Sequence, residues 1–306
     1  MALQRPSTIH DVDDHHHRPA LPAEVMNMLA VGPGSRCVDA TLGDGGHASV
    51  ILEATAPDGK LLGMDADPQA LERARKRLSA FGDRVILVND NFANLETIVA
   101  RHSFRPVLAV LMDLGLSSWQ LEAGGRGFSF REDVGLDMRL SPSQPVTASE
   151  VVNNYSLAEL ERIISTYGEE HQARRIAASI VRHRPIWTAL QLAQAIEAAV
   201  PRRGQRIHPA TRTFQAIRVF VNHELETLES GLEQAVRVLE RGGRLVVIAY
   251  HSLDDRLIKI FMRRESRDCI CPPGQPECTC GHLARIRLLT KKVVKPSAAD
   301  VRDNPR

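Results

Sequence analysis

Aromatic residues make up only 4% of this chain. No apolar run approaches the ~18 residues that a membrane-spanning helix needs, which excludes a transmembrane reading. The N-terminus, MALQRPSTIHDVDDHHHRPA, lacks an apolar h-region, so no secretory signal is expected there. Residues 1–16 read as a disordered tail, and the His15–His17 run as part of that polar extension. Cysteine is scarce. There are five, and four crowd between Cys269 and Cys280. That is not a spread disulfide framework, and it points to a reducing, cytoplasmic compartment. A net charge of only +2 supplies no global field to attract a polyanion.

The charge is unevenly placed, however. Between His171 and His223 there are nine arginines, against the single acid Glu197. Every cation in that window is Arg, whose planar fork suits phosphate oxygens and base stacking. The window reads as a polyanion-binding face, with a solvated helical surface as the alternative.

At 306 residues the chain fits one large α/β domain or two smaller ones. Short apolar runs at 36–40, 60–65, 84–89 and 107–113 end in polar residues, and helical stretches separate them. Asp67 followed by Pro68 is an N-cap with Pro at the first helical position. This alternation predicts a parallel, doubly wound sheet. It stops near residue 119. The spacing then predicts helices at 156–166, 170–184 and 188–199, with no strand among them. One long amphipathic helix is predicted from Phe214 to Leu239, ended by Gly242 and Gly243. A buried strand follows at 244–250, and a further β signal lies at 284–294. The α/β domain is therefore expected to be discontinuous, with a helical domain inserted after the fourth strand.

Five motifs carry chemistry. In Asp39–His47, DATLGDGGH, three glycines let the backbone turn tightly and approach a ligand. It is not the dinucleotide fingerprint, which leans away from NAD. Asp65 ends the second strand, where an acid can accept bonds from ribose hydroxyls. The stretch Asn89–Phe92 ends the third strand, and Asp113 ends the fourth. Four polar strand ends in one parallel sheet converge on the crevice where such folds bind nucleoside cofactors. After Asp113 comes LGLSSWQLEAGGRGFSF, with Ser117 and Ser118 in a small polar loop. Phe128 and Phe130 serve either as core plugs or as stacking platforms. The last two motifs are HPATRTFQAIR at 208–218 and AYHSLDDR at 249–256, the latter bringing His251 to the same rim.

These motifs resemble the RsmH (MraW) family from about His17 to the C-terminus. That family consists of S-adenosylmethionine-dependent methyltransferases that modify N4 of a cytidine in 16S ribosomal RNA of the small ribosomal subunit. The resemblance implies a Rossmann-like class I methyltransferase sheet of the seven-strand type with an inserted all-helical domain. Residues 17–120 and 214–306 would form the methyltransferase domain. Residues 121–213 would form the insertion, which helps to hold RNA. The family's cofactor pattern falls on Gly45, Gly46, His47, Asp65, Phe92, Asp113 and Gln120. Arg206, His208, Arg212 and Arg218 are the candidate RNA contacts. An exocyclic cytosine amine is a poor nucleophile, because its lone pair is delocalised into the ring. Asp113, Ser117, Ser118 and His251 are candidates for polarising it and removing its proton.

The cluster CICPPGQPECTCGH offers Cys269, Cys271, Cys278, Cys280 and His282, more than the four ligands of a structural zinc. A disulfide loop and an unligated hairpin are the alternatives. Other readings of the whole chain are an NAD-dependent hydride-transfer enzyme, a small-molecule methyltransferase, and a non-catalytic assembly factor that binds S-adenosylmethionine or RNA. The residues leave the oligomeric state open.

Overall fold

The computed structural model describes residues 19–122, 125–131, 133–200, 207–290, 292–297 and 301–302. The tail 1–16, Arg202, Arg203 and Arg206 lie outside the described residues. The first half alternates as expected: α1 (Pro22–Leu29), β1 (Arg36–Asp39), α2 (Gly46–Ala54), β2 (Lys60–Asp65), α3 (Pro68–Arg77), β3 (Val85–Asn89), α4 (Leu95–Arg101), β4 (Val107–Asp113) and the short α5 (Ser118–Glu122). Helix α3 starts where the dipeptide places it. The Asp67 carboxylate accepts from the Gln69 N–H at 3.0 Å, with Pro68 at the first position and Arg75, Lys76 and Arg77 in the last turn. Cations there complement the helix dipole.

Among the described residues five helices follow without a strand: α6 (Ala148–Asn154), α7 (Leu157–Gly168), α8 (Ala173–Arg182), α9 (Ala189–Ala199) and α10 (Ala210–Asn222). Capping boxes at Thr147, Ser156 and Thr188 start α6, α7 and α9. Then come α11 (Glu224–Val238), β5 (Leu239–Ile248) and α12 (Ser252–Glu265).

Among the described residues the sheet has five strands, all parallel, in the order β3-β2-β1-β4-β5. The order reverses between β1 and β4, so their carboxyl ends frame a crevice at the switch point. Two apolar layers cover the sheet. One contains α4, α11 and Phe261, and the other contains α1, α2 and α3. A third core, separate from both, holds Phe128, Leu136 and Met138 together with α6 to α10.

Three expectations change. The predicted helix from Phe214 to Leu239 is two helices, broken at His223, whose φ of 50° is left-handed. The physical reason is that α10 packs into the helical core through Val221, whereas α11 packs on the sheet. One straight helix could not present its apolar stripe to both. The change from the helical core to the sheet layer therefore falls at His223. Second, the glycine pair does not end the helix. Strand β5 starts at Leu239 and runs through Gly242 in an irregular register, with Leu239 opposite Val107 and Arg244 opposite Ala109. Third, the described residues of 284–294 form no strand.

Candidate active site

The crevice is built from three acids at neighbouring strand ends. Asp39, at the end of β1, is buried, and its Oδ1 accepts from the Thr41 N–H at 3.3 Å. Burial pushes its carboxyl up to about 7, with nearby Asp113 and Asp65 adding to the rise and His47 opposing it. Asp65, at the end of β2, accepts the Gly43 N–H on Oδ2 and the Asp67 N–H on Oδ1, both at 2.8 Å. Burial pushes Asp65 up to about 6 despite those bonds. Gly43 has a φ of 51° and open space around its missing Cβ, so the loop backbone is accessible from the crevice.

Asp113, at the end of β4, is held from three sides. Its N–H donates to Thr41 Oγ1 at 2.6 Å, and its Oδ1 accepts from the Tyr250 hydroxyl at 3.1 Å. Its Oδ2 lies 3.6 Å from His47 Nε2. That ring nitrogen is buried and makes no hydrogen bond among the described residues. A buried polar atom with no partner is costly and calls for a ligand. Three carboxylates, an open glycine turn and an orphaned imidazole nitrogen fit a group that is cationic at one end and polar at the other. A sulfonium nucleoside has that chemistry.

The loop after β4 walls the crevice. Gln120 is buried and faces inward. Its Nε2 donates to Asp67 Oδ2 at 2.9 Å, and its Oε1 accepts the Ser117 N–H at 2.9 Å. Arg126 bonds to the same Asp67 oxygen. Gln120 therefore ties the loop to the start of α3. The Arg73 guanidinium lies 3.8 Å from the centre of the Trp119 ring and bonds to Asp44 at 2.7 Å, which joins this loop to the glycine turn. Phe92 packs against α11 over Gly231, where a Cβ would come within 2.4 Å of its ring. Gly45, with φ of 78°, and Gly46 open helix α2 beneath His47. Ser117 Oγ accepts the Gln120 N–H at 3.3 Å. Ser118 opens α5, and its side chain lies outside the described residues.

A sequence profile of the MraW methylase family matches residues 14–306. The chain belongs to the MraW methylase family. A protein of Dehalococcoides mccartyi named ribosomal RNA small subunit methyltransferase H is 50% identical over 96% of this chain and 84% of its own length. Proteins of the same name from Geobacter sulfurreducens and Thermomicrobium roseum are 50% and 49% identical, each over 95% of this chain and 95% and 90% of theirs. The chain is thus a methyltransferase with a Rossmann-like parallel sheet. This membership supports the expected methyl donor, S-adenosylmethionine.

In this MraW methylase the remaining candidates are dispersed. His251 is half-buried at the start of α12, beside Arg218 rather than against Asp113. Burial and the Arg218 charge hold its imidazole down at about 4. Tyr250, one residue earlier, is the member of this motif that bonds to Asp113. Both residues lie beyond Ile248, the last residue of β5, so strand alternation does not tell which of them faces the site.

Arg218 departs from the expected RNA face. It is only 8% exposed, and its guanidinium forms a two-pronged pair with Glu224 at 2.8 and 2.9 Å. It joins α10 to the first turn of α11 across the His223 break. Asp254 lies near this pair, and burial together with Glu224 pushes its carboxyl up to about 6. His208 stacks on Phe130 with ring centres 4.4 Å apart and lies 2.9 Å from Glu197. Phe128 is in the helical core, and Phe130 packs against it. Arg212 is exposed, 3.7 Å from Glu170, and Arg174 and Arg182 are exposed on α8. Trp187, just before α9, is 60% exposed. The helical unit meets the sheet unit through Glu169, which accepts from Ser252 Oγ at 2.5 Å and Arg256 at 2.6 Å.

The sulfur atoms of Cys269, Cys271, Cys278 and Cys280 lie within 4.8 Å of one another. His282 departs from the expected ligand set: its Nε2 is 3.0 Å from the Arg264 carbonyl oxygen and is absent from the sulfur cluster.

Proposed function

We propose that this methylase transfers a methyl group from S-adenosylmethionine to the exocyclic N4 of a cytidine in 16S ribosomal RNA, acting on the small ribosomal subunit in the cytoplasm. The observation that carries the reading is Asp113, fixed by Tyr250 and Thr41 at the mouth of an acid-lined crevice. No described helix is long and apolar enough to cross a membrane.

When bound, S-adenosylmethionine supplies an electrophilic methyl group. The residues for holding it are Asp65, the Gly43–Gly46 turn and His47, with Asp39 and Asp113 setting a negative field around its positive end. Methyl transfer is an in-line displacement, so the protein mainly contributes proximity and alignment. Asp113 Oδ1 is engaged by Tyr250, which leaves Oδ2 to accept an N–H of the cytosine amine. Accepting that hydrogen bond draws the amine hydrogen out of the ring plane and frees the nitrogen lone pair. As the N–C bond forms and the bond from the methyl carbon to the donor sulfur breaks, one N–H proton passes to Asp113 Oδ2. A base reaches such a crevice only when it is out of its stack. Sequence-specific RNA recognition commonly uses such splayed bases. The exposed Arg174, Arg182 and Arg212, with Trp187, supply phosphate and stacking contacts beside the site.

The substrate class is tested by offering labelled S-adenosylmethionine with purified small subunits, large subunits and transfer RNA. Label is expected in the small subunits alone. Equal labelling of all three would overturn the assignment.

A further inference from the structure

The late cysteine cluster has no part in the crevice, yet it is the most chemically specific grouping outside it. Its two C-x-C arms, Cys269-Ile-Cys271 and Cys278-Thr-Cys280, flank a turn. In that turn the Gln275 N–H donates to the Pro272 carbonyl at 3.3 Å, and Gly274 has φ of 91°. Gln275 Nε2 donates to Thr279 Oγ1 at 2.9 Å, which folds one arm back on the other. In an extended arm, residues two apart project to the same side, so each arm offers both of its thiols to one point.

The sulfur spacing is informative. Cys278 and Cys280 are 3.6 Å apart, Cys269 and Cys280 are 4.0 Å apart, and all four lie within 4.8 Å. Four thiolates about 2.3 Å from a tetrahedral zinc are about 3.8 Å from one another. A disulfide would need about 2.05 Å. Backbone N–H groups of Ile270 and Cys271 point at Cys280 Sγ and Cys269 Sγ, each at 3.4 Å. Donors of this kind stabilise thiolate ligands from outside the coordination sphere.

No apolar core accounts for the convergence. Described residues from 267 to 290 form no helix or strand, and Ile270, Leu283, Leu288 and Leu289 are exposed. The segment is anchored on either side of the cluster, in part by Arg285, which pairs with Glu233 and Glu265. His282 reaches the Arg264 carbonyl, and the Ala284 N–H donates to Asp268 at 3.1 Å. The Arg285 and Ile286 N–H groups donate to the Glu265 carbonyl at 2.9 and 3.2 Å. A bound metal supplies the missing folding energy in such a segment.

We propose that Cys269, Cys271, Cys278 and Cys280 form a closed tetrathiolate site for zinc, which pins the segment after α12 and does no chemistry. All four positions are protein ligands, so no open position remains for a substrate or an activated water.

The test uses the full chain, purified without an affinity metal and with reductant present. Elemental analysis is expected to find about one zinc per chain. Cobalt exchange should give the sulfur-to-metal charge-transfer band and tetrahedral absorption of a tetrathiolate. The double variant Cys278→Ser with Cys280→Ser is expected to lose both signals while still binding S-adenosylmethionine. His282→Ala is expected to keep the full metal content. A metal-free chain with no cobalt spectrum and four freely titrating thiols overturns the proposal. So do disulfides mapped within the cluster, or loss of metal in His282→Ala. If the serine variant fails to fold, the cobalt spectrum of the unaltered chain still decides.

Discussion

The Tyr250 hydroxyl donates to Asp113 Oδ1 at 3.1 Å, linking the segment that follows β5 to the end of β4 across the mouth of the crevice. Burial and the adjacent carboxylate both raise the phenol above its usual range, so it remains a donor at neutral pH. Tyr250 acts through Asp113, as a positioning residue. Tyr250→Phe removes one hydrogen bond to a charged group, an effect of about 1.5–3 kcal/mol, or roughly 10- to 150-fold in rate. Single-turnover methyl transfer should fall by that factor while the Kd for S-adenosylmethionine is little changed. A matched fall in cofactor affinity would instead place Tyr250 in cofactor binding.

Cofactor affinity should depend on pH in a definite direction. Asp39 and Asp65 are raised to about 7 and about 6 by burial. A cation bound beside them favours their ionised forms and lowers both values, so protons are released on binding. Affinity therefore rises as pH climbs through about 6 to 7 and weakens below it. Titration calorimetry in buffers of different ionisation enthalpy measures the released protons directly. Proton uptake would contradict this account of the crevice.

Arg218 and Arg212 should behave differently, although one motif contains both. Arg218→Ala leaves Glu224 without its partner in a largely buried pair and is expected to cost about 3 kcal/mol of stability. Arg212→Ala removes an exposed charge and should leave the Tm nearly unchanged. It should weaken RNA binding and lower its salt dependence by about one phosphate contact. Thermal melts paired with binding at two salt concentrations separate the two effects.

Gly231→Ala tests how Phe92 is seated. Replacing glycine by alanine inside a helix ordinarily stabilises by about 0.5–1 kcal/mol. Here the added Cβ would lie 2.4 Å from the Phe92 ring, and overpacking of this kind costs about 1–3 kcal/mol. The expected result is a lower Tm together with weaker cofactor binding, because the ring must move. An unchanged Tm would show that Phe92 shifts freely.

Much of this architecture is legible in the residues. Strands β1 to β4 are apolar runs closed by Asp39, Asp65, Asn89 and Asp113; β1, β2 and β4 are largely buried and the edge strand β3 only partly so, beside helices that the 3.6-residue period also reveals. Asp67 as the cap of α3 was readable from its Pro68 neighbour. The break at His223 was not, because apolar spacing continues unbroken across a single left-handed residue. Arg218 was misplaced for a related reason. An arginine in an otherwise basic window looks solvent-facing until the first turn of the next helix supplies Glu224. Gln120 was expected at the cofactor, yet its amide is taken up by neighbouring Ser117 and by Asp67, a contact between distant parts of the chain. His282 sits at metal-ligand spacing, but its ring is turned to the end of α12.

The central claim is the N4 methylation of cytidine in small-subunit RNA. Its most direct test is methyl transfer from labelled S-adenosylmethionine to small subunits taken from cells lacking this chain, followed by nucleoside mass analysis. The account predicts label in N4-methylated cytidine, and its loss in Asp113→Asn with subunit binding retained. Label in a different nucleoside, or no transfer despite tight S-adenosylmethionine binding, would contradict it.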